Sequence, residues 1–286
     1  MDRDLDALVI PNSELIMGGW CVASARSSSF EWMQIDCTLF RAADGSLIVP
    51  WSELRELVET WREKGYSLCF YSFKPPGLRL RFAQATTTFL SILQVWLESA
   101  EERNVLRGFR PGCYEPEAAR FGGPAGMALA HGWFNADSCA LLAYAALAPD
   151  ERGIGRLGLS ALILDRLFTA FAKDPAELWD TWAQMAARLA CIQATTSQEL
   201  LAMQPSWFTD EFVATLPTAV RSLLRGSFAA SGGIARAARL LVDEPIPRVV
   251  SGRAWAVEVA IFHANRLGLA PGELSGLCGR MLDLFK

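Results

Sequence analysis

The sequence lacks the features that mark metal and nucleotide sites. It has two histidines, His131 and His263, and seven scattered cysteines with no Cys-x-x-Cys pair, which is typical of buried, reduced thiols rather than of a zinc site or a disulfide framework. It has no Gly-x-x-x-x-Gly-Lys-Ser/Thr loop and no Gly-x-Gly-x-x-Gly between a strand and a helix, so nucleotide binding is disfavoured. We therefore expect chemistry that uses neither a metal nor another cofactor.

An excess of positive charge and a long apolar run are also missing. The net charge of −4 and the pI near 5.4 argue against a nucleic-acid binder, which needs a basic field to displace counterions from phosphate. The opening Met-Asp-Arg-Asp does not resemble a secretion signal, and no apolar stretch is long enough to cross a bilayer. With 51% hydrophobic and 20% charged residues, we expect a soluble, cytoplasmic, globular protein without a membrane partner.

Extended patterns are concentrated in the first part of the chain. Residues Trp32–Phe40 and Leu78–Phe82 alternate apolar and polar side chains, as half-buried strands do. Residues 86–102 have the period of a helix, and Leu106–Tyr114 returns to an extended pattern. The order of these segments predicts a small sheet with helices between its strands.

The pattern is helical almost throughout from Gly122 onward. Helical periodicity is found near residues 124–134, 137–148, 155–172, 176–190, 198–203, 209–224, 229–242, 252–267 and 271–285. We therefore predict an α+β fold in which a strand-rich part, about residues 1–120, contains a mixed or antiparallel sheet. It packs against a mostly helical part, about residues 121–286, as one domain over residues 1–286.

The first cluster of chemically useful side chains is the segment Lys74–Phe82. Arg79 and Arg81 are two positions apart in a predicted strand, so both side chains leave the same face. Arginine carries a fixed charge and a fork of donors that suits carboxylates. The pair indicates a small anion site, and the alternative is the polar face of an ordinary surface strand.

The second cluster is the segment Tyr114–Pro124. It places two carboxylates, a tyrosine and Arg120 beside a Gly-Gly-Pro turn that opens a helix. Glycines permit close backbone approach, and a helix start offers free N–H groups to an anion. The alternative is a strand-to-helix corner held by structural ion pairs.

The third cluster is the helical segment Glu258–Arg266. His263 is the natural acid–base group at neutral pH, and Arg266 shares its helical face three residues later. A cationic neighbour would keep the imidazole neutral and basic. The alternative is a core histidine whose nitrogens are satisfied inside the protein.

These three clusters, in this order, resemble the elimination domain of class I lanthipeptide dehydratases, and more closely its free-standing form in thiopeptide biosynthesis. The family's P-G-x-L-R-L-R strand is similar to Pro76–Arg81, and its Y-E-P-E-x-x-R-[YF]-G-G element to Tyr114–Gly123. An F-x-A-D-S stretch follows as Phe134–Ser138, and an H-x-x-N-R element corresponds to His263–Arg266 with one residue fewer. The Tyr114–Ser138 block is the specific part of the likeness.

The resemblance implies a carbon–oxygen lyase that acts on a ribosomal precursor peptide. A separate, glutamyl-tRNA-dependent partner would first esterify a Ser or Thr hydroxyl of this peptide with glutamate. The enzyme would then expel glutamate by β-elimination and leave dehydroalanine or dehydrobutyrine. No direct contact with nucleic acid is implied, and a homodimer is compatible with the sequence.

The resemblance also assigns roles to individual residues. His263 would be the base or proton shuttle, and three arginines would hold glutamate and stabilise developing negative charge: Arg79, Arg81 and Arg120. The substrate-binding residues would be Lys74, Tyr114, Glu117 and Arg266.

Two departures from the family pattern keep other functions open. The strand before the arginine pair reads Phe70–Phe73 where the large dehydratases carry an arginine–tyrosine pair, and Gly77 stands where they often have a histidine. The first alternative is a thiopeptide pyridine synthase, which joins two dehydroalanines in a formal [4+2] aza-cycloaddition and releases the leader peptide. The second is a non-catalytic protein that binds the precursor peptide by strand addition.

Overall fold

The computed structural model describes residues 23–24, 31–43, 45–63, 68–74, 77–240 and 250–285. Strands lie in the N-terminal part of the chain and helices make up the C-terminal part, so the predicted α+β class is confirmed. The chain divides into two compact units, residues 1–50 with 56–117 and residues 51–55 with 118–286. No helix among the described residues is long and apolar enough to cross a membrane.

The first unit is built on a five-stranded antiparallel sheet. Its strands are β1 (Ala23–Ser24), β2 (Glu31–Thr38), β3 (Cys69–Lys74), β4 (Gly77–Ala83) and β5 (Gly108–Gly112). β2 pairs with β4 on one side and with β1 and β5 on the other, and β3 pairs with the far side of β4. The predicted strand at Leu78–Phe82 is therefore central in the sheet, whereas the Pro75–Pro76 turn before it lies outside the described residues.

Helix α1 (Trp51–Glu63) connects β2 to β3, and helix α2 (Thr87–Glu102) connects β4 to β5. The Thr86 side chain accepts a hydrogen bond from the backbone N–H of Phe89 and so caps α2 at the predicted position. Rings from α1, β4 and α2 meet in the core, where Trp61 lies 5.1 Å from Phe82 and 3.9 Å from Phe89 between ring centroids. Such aromatic pairs add about 0.5–1.5 kcal/mol each beyond their buried area.

The second unit is helical. Its α-helices are α3 (Pro124–Ala145), α4 (Pro149–Arg152), α5 (Arg156–Phe171), α6 (Pro175–Arg188), α7 (Gln198–Ala202), α8 (Asp210–Thr215), α9 (Thr218–Leu240), α10 (Gly252–Leu267) and α11 (Pro271–Leu284), with 3₁₀ turns at Ala118–Phe121 and Pro205–Phe208. α3 packs against α9 and α10, and α5 packs against the same two helices. Because α3 is apolar around most of its circumference, it forms the buried centre of this unit.

Two predicted helix boundaries were wrong. The segments predicted near 124–134 and 137–148 form one continuous α3, because Asn135 and Ala136 are both compatible with a helix interior. The break predicted near Gly226 is absent, since α9 runs through that glycine, and the chain breaks instead before Thr218, at Pro217. A glycine inside a helix costs only about 1 kcal/mol, whereas proline lacks the N–H that a helix interior requires.

Candidate functional site

The polar face of the sheet carries a row of charged side chains. Asp36 of β2 lies directly opposite Arg79 of β4 on one side and opposite Arg110 of β5 on the other. The Nε atoms of these arginines are 3.6 Å from Asp36 Oδ1 and 3.8 Å from Asp36 Oδ2, respectively. Gln34 donates a hydrogen bond of 2.8 Å from Nε2 to Asp36 Oδ1. We call Gln34, Asp36, Arg79 and Arg110 the Asp36 cluster.

Arg81 shares this face but is used differently from Arg79. Its side chain is buried, with Nε donating to Gln34 Oε1 at 2.8 Å and Nη1 donating to Ser72 Oγ at 3.1 Å. Its guanidinium carbon lies 4.6 Å from the Tyr114 ring centroid and 5.2 Å from that of Phe70. The sequence predicted two similar arginines on one open face. Instead, only Arg79 remains half-buried, because neighbouring strands and rings enclose Arg81.

The other predicted residues of the first unit are spread around this face. Tyr114 is buried, and its ring contacts Trp32 edge-on at 5.6 Å between centroids. Burial raises the pKa of the Tyr114 phenol, and the nearby Arg81 charge opposes this effect only in part. Lys74 and Glu117 are exposed. Tyr114 therefore packs against the Arg81 guanidinium and is not an accessible acid–base group.

A second group of charges surrounds Glu258 in the helical unit. This carboxylate is buried on α10, and it accepts from Arg120 Nε at 2.5 Å and pairs with Arg188 Nη1 at 2.6 Å. Arg120 lies in the 3₁₀ turn before α3 and also stacks over Phe262, with 5.6 Å from guanidinium carbon to ring centroid. We call Arg120, Arg188 and Glu258 the Glu258 clamp. It holds the predicted Arg120 by its Nε edge.

The glycine pair after Arg120 fixes the start of α3. Gly122 and Gly123 have φ values of +82° and +104°, which residues with a Cβ rarely adopt. A Cβ on Gly122 would also lie 3.4 Å from Cβ of Val250. The Gly-Gly-Pro sequence is thus required by backbone geometry, and it turns the chain from the Arg120 segment into the buried α3.

A third group connects α3, α5 and α10 through buried polar side chains. His263 Nδ1 lies 2.8 Å from Asp137 Oδ1, and His263 Nε2 lies 3.0 Å from Ser160 Oγ. Arg266 donates from Nε to the other oxygen of Asp137 at 2.7 Å. The side chains of His263, Asp137 and Arg266 have no exposed surface, and Ser160 is buried as well. We call these four residues the Asp137 network.

The Asp137 network fixes the proton positions on His263. Burial alone would raise the pKa of Asp137, but the His263 and Arg266 side chains together hold that pKa below its usual value. An ionised carboxylate only accepts hydrogen bonds, so Nδ1 of His263 is the donor. Nε2 then faces the Ser160 hydroxyl, which can donate a hydrogen bond to it.

The Arg266 side chain is fully buried in the helical unit. Its guanidinium carbon lies 4.6 Å from the Phe134 ring centroid and 5.6 Å from that of Trp133. Its two Nη atoms have no hydrogen-bond partner among the described residues. The aromatic faces therefore supply much of its stabilisation. In this conformation Arg266 does not reach a substrate, which leaves its predicted binding role without direct geometric support.

The predicted residues thus fall into an arginine-lined sheet face in one unit and two charge networks in the other. Sequence reasoning missed Gln34, Asp36 and Arg110, although the alternation of polar and apolar residues along β2 was a usable signal. It also missed Ser160, because nothing in the sequence indicates that α5 lies beside His263. A separate cavity of about 600 Å³ is lined by residues including Tyr144, Arg152, Ile154 and Arg156, and by none of the predicted residues.

Solved structures with the same fold include two that cover most of this chain. The tRNA-dependent lantibiotic dehydratase MibB from Microbispora sp. 107891 matches with a TM-score of 0.60 and 18% identity, over 87% of this chain and 27% of MibB. TsrL matches with a TM-score of 0.51 and 15% identity, over 90% of this chain and 95% of TsrL. At these identities the likeness shows a shared fold, and this chain spans only about a quarter of the length of MibB.

No curated protein matches this sequence. The family model described as "Lantibiotic biosynthesis dehydratase C-term" matches residues 49–273. Because this match spans well over half of the sequence, the chain belongs to the family of lantibiotic biosynthesis dehydratase C-terminal domains.

Proposed function

We propose that the protein removes glutamate by β-elimination from glutamylated Ser or Thr residues of a ribosomal precursor peptide. The observation that carries this proposal is the Asp36 cluster, in which half-buried Arg79 and exposed Arg110 are held near one carboxylate without hydrogen bonding to it. Guanidinium groups in this state are suited to bind the carboxylate of a ligand. Membership of the dehydratase family supports the same reaction class.

The reaction needs one base and one group that stabilises negative charge. The base takes the proton from Cα of the modified residue, and that electron pair becomes the Cα–Cβ double bond. The Cβ–O bond breaks, and glutamate leaves with its bonding electrons as a carboxylate. General-base catalysis supplies typically about 10²–10⁴-fold, and preorganised donors at the developing charge a further factor of about 10²–10³. No redox partner is involved.

The arginines take different parts in this proposal. Arg79 would bind the glutamyl group directly, since its side chain is partly accessible. Arg81 would act through Gln34, whose amide oxygen it holds and whose amide nitrogen reaches Asp36. Arg120 would contribute its positive charge to the substrate site while Glu258 holds its Nε edge. Lys74 and Glu117 remain candidate peptide contacts because both are exposed.

His263 remains the proposed base, with a condition that the geometry imposes. Asp137 orients the ring and leaves Nε2 as the basic nitrogen, which is the arrangement that a general base requires. Nε2 now faces Ser160 and has no exposed surface. His263 can act only if the helices that bury both His263 and Ser160 open when the peptide binds, so that Nε2, or Ser160 as a relay, reaches the substrate.

The proposed partners are a precursor peptide and a separate glutamylating protein. MibB is named a tRNA-dependent lantibiotic dehydratase, and this chain spans 27% of the length of that protein. We assign the elimination step to the residues that match the dehydratase C-terminal family. The glutamyl ester would then be made elsewhere, from glutamyl-tRNA, before the peptide reaches this protein.

One observation favours a second candidate, a pyridine synthase that joins two dehydroalanines. Two of the four proposed catalytic side chains, Arg81 and His263, are buried and hydrogen-bonded within the protein. A cycloaddition would not need these side chains to meet a glutamyl group. The arginines of the sheet face would then have a structural role and would not bind substrate.

The two candidates are separated by mass spectrometry of two peptides incubated with the purified protein. The first peptide carries glutamate esterified to a Ser side chain, and the second contains two dehydroalanines. We expect loss of glutamate from the first peptide and no change in the second. Release of the leader from the second peptide, with the first unchanged, would replace elimination by cycloaddition.

A further inference from the structure

The two arginines of the Asp36 cluster use only one edge of their guanidinium groups. In both Arg79 and Arg110 the nitrogen nearest to Asp36 is Nε, at 3.6 and 3.8 Å. Neither side chain makes a hydrogen bond of 3.5 Å or less to any described residue. Within the described part of the chain, the Nη1 and Nη2 atoms of both arginines therefore have no hydrogen-bond partner, and they can form the fork that binds a carboxylate.

The backbone holds the two arginines in one row. Asp36 is opposite both of them in register, so the three residues cross β4, β2 and β5 in line. Neighbouring strands are about 4.8 Å apart, which places the two arginine Cα atoms about 10 Å from each other. Long side chains from these positions can converge on one small anion above Asp36.

A glycine on β5 makes room for this arrangement. A Cβ on Gly112 would lie 2.7 Å from Gln34 Nε2 and 3.0 Å from Asp36 Oδ1. The missing side chain lets Gln34 and Asp36 lie against β5. The same Gln34 is held by Arg81, with 2.8 Å from Arg81 Nε to its amide oxygen. The Asp36 carboxylate is thus fixed between the two arginines by neighbours that do not themselves need to bind a ligand.

The charge of the cluster selects the kind of ligand. Arg79 and Arg110 carry two positive charges and Asp36 carries one negative charge, and the neighbouring Arg81 adds a further positive charge. The resulting excess of positive charge favours an anion such as a carboxylate. The exposed fractions of the two arginine side chains, 27% and 75%, leave both accessible in the described part of the chain.

We infer that Arg110 is the partner of Arg79 in binding the carboxylate of the glutamyl group, in the place that the sequence assigned to Arg81. Arg81 supports the site by holding Gln34. This inference rests on the proposed elimination of glutamate, and it adds a substrate-binding residue that lies outside the arginine motif.

The test measures binding of free L-glutamate by calorimetry, together with the elimination assay on the glutamylated peptide. Arg110→Gln and Arg79→Gln should each weaken glutamate binding and raise KM at least tenfold. The double variant should lose less than the product of the two single losses, because both forks serve one carboxylate. Arg62→Gln, which removes an exposed arginine of α1, is the matched control and should behave as the parent protein.

The outcomes separate this inference from the proposed function. If Arg110→Gln binds glutamate like the control while Arg79→Gln does not, the assignment of Arg110 is wrong and elimination is untouched. If glutamate binds in an Arg110-dependent way but the glutamylated peptide is not converted, the carboxylate site stands and the proposed reaction fails. If the parent protein does not bind glutamate at all, the inference is overturned.

Discussion

Each unit of the protein contains an Arg–Asp pair, and the two pairs differ in burial and in distance. On the sheet face, Arg79 and Asp36 are partly exposed and stay 3.6 Å apart. In the helical unit, Arg266 and Asp137 have no exposed surface and form a hydrogen bond of 2.7 Å. A charge pair of the first kind contributes little to stability but remains available to a ligand. A pair of the second kind is closed to ligands, and removing one of its partners is costly because the other charge stays buried.

This difference in burial distinguishes the arginine motif of β4 from the histidine motif of α10. The arginine motif of β4 and the histidine motif of α10 were predicted to act as one catalytic set. In the proposed reaction Arg79 would bind the glutamyl group, whereas His263 is held by Asp137 and Ser160 and would have to be released before acting. Substitutions in the two units should therefore change different measured quantities.

The largest effect on stability is expected for Asp137→Asn. The variant leaves the Arg266 charge buried without a counter-ion, and breaking a buried pair in this way costs about 3–5 kcal/mol. Urea unfolding at pH 7.5 measures the free energy of unfolding, with Asp150→Asn, at an exposed position of α4, as the matched control. A loss under about 1 kcal/mol, which is the range for exposed ion pairs, would mean that solvent reaches Arg266.

A smaller effect, of opposite sign, is expected for Asp165→Asn. Burial raises the pKa of this α5 carboxyl from 3.8 to about 6, with opposing effects from Trp182 and Arg166. The folded protein therefore holds this proton more tightly than the unfolded chain, and this group lowers stability as the pH rises from about 4 to about 6. The full penalty above that range is about 2–3 kcal/mol.

Removing the ionisable group at position 165 should remove this penalty. Asp165→Asn should be more stable than the parent protein by about 2–3 kcal/mol at pH 7.5 and of equal stability at pH 4. Free energies of unfolding at pH values from 4 to 8 measure the difference. A difference that does not change with pH would show that Asp165 is not the titrating group.

The smallest effect on stability is expected for Asp36→Asn. The substitution keeps the oxygen that Gln34 donates to and removes only two ion contacts longer than 3.5 Å. We expect the free energy of unfolding to change by less than about 1 kcal/mol. A change as large as that of Asp137→Asn would remove the contrast between the two units.

Much of the local structure could be predicted from the sequence. The alternation in β4 correctly placed Arg79 and Arg81 on one face, and the helical period over residues 86–102 correctly located α2. The strand register could not be predicted, because no feature of β5 indicates which residue of β2 it faces. That register is what brings Arg110 to Asp36 and encloses Arg81.

The candidate site in the helical unit shows the same limit. The motifs at Phe134–Ser138 and His263–Arg266 were both recognised, but nothing in their spacing indicated that Asp137 and His263 touch. Helical periodicity reports which residues face the core and not which core residues are neighbours. Ser160 carries no signal at all, since it lies in an otherwise apolar helix and acquires its importance only through packing.

In the proposed reaction the arginines of the sheet face recognise the side-chain carboxylate of a glutamyl group. This recognition is measured by comparing single-turnover elimination from two peptides, one carrying a glutamyl ester of Ser and one carrying a 2-aminopentanoyl ester, which keeps the α-ammonium and lacks only the side-chain carboxylate. The parent protein should prefer the glutamyl ester by about 10²–10³-fold, as expected for a preorganised charged donor. In Arg79→Gln most of this preference should be lost, because elimination from the glutamyl ester becomes slower while elimination from the other ester is unchanged. Equal elimination from both esters by the parent protein, or an unchanged preference in Arg79→Gln, would contradict the claim.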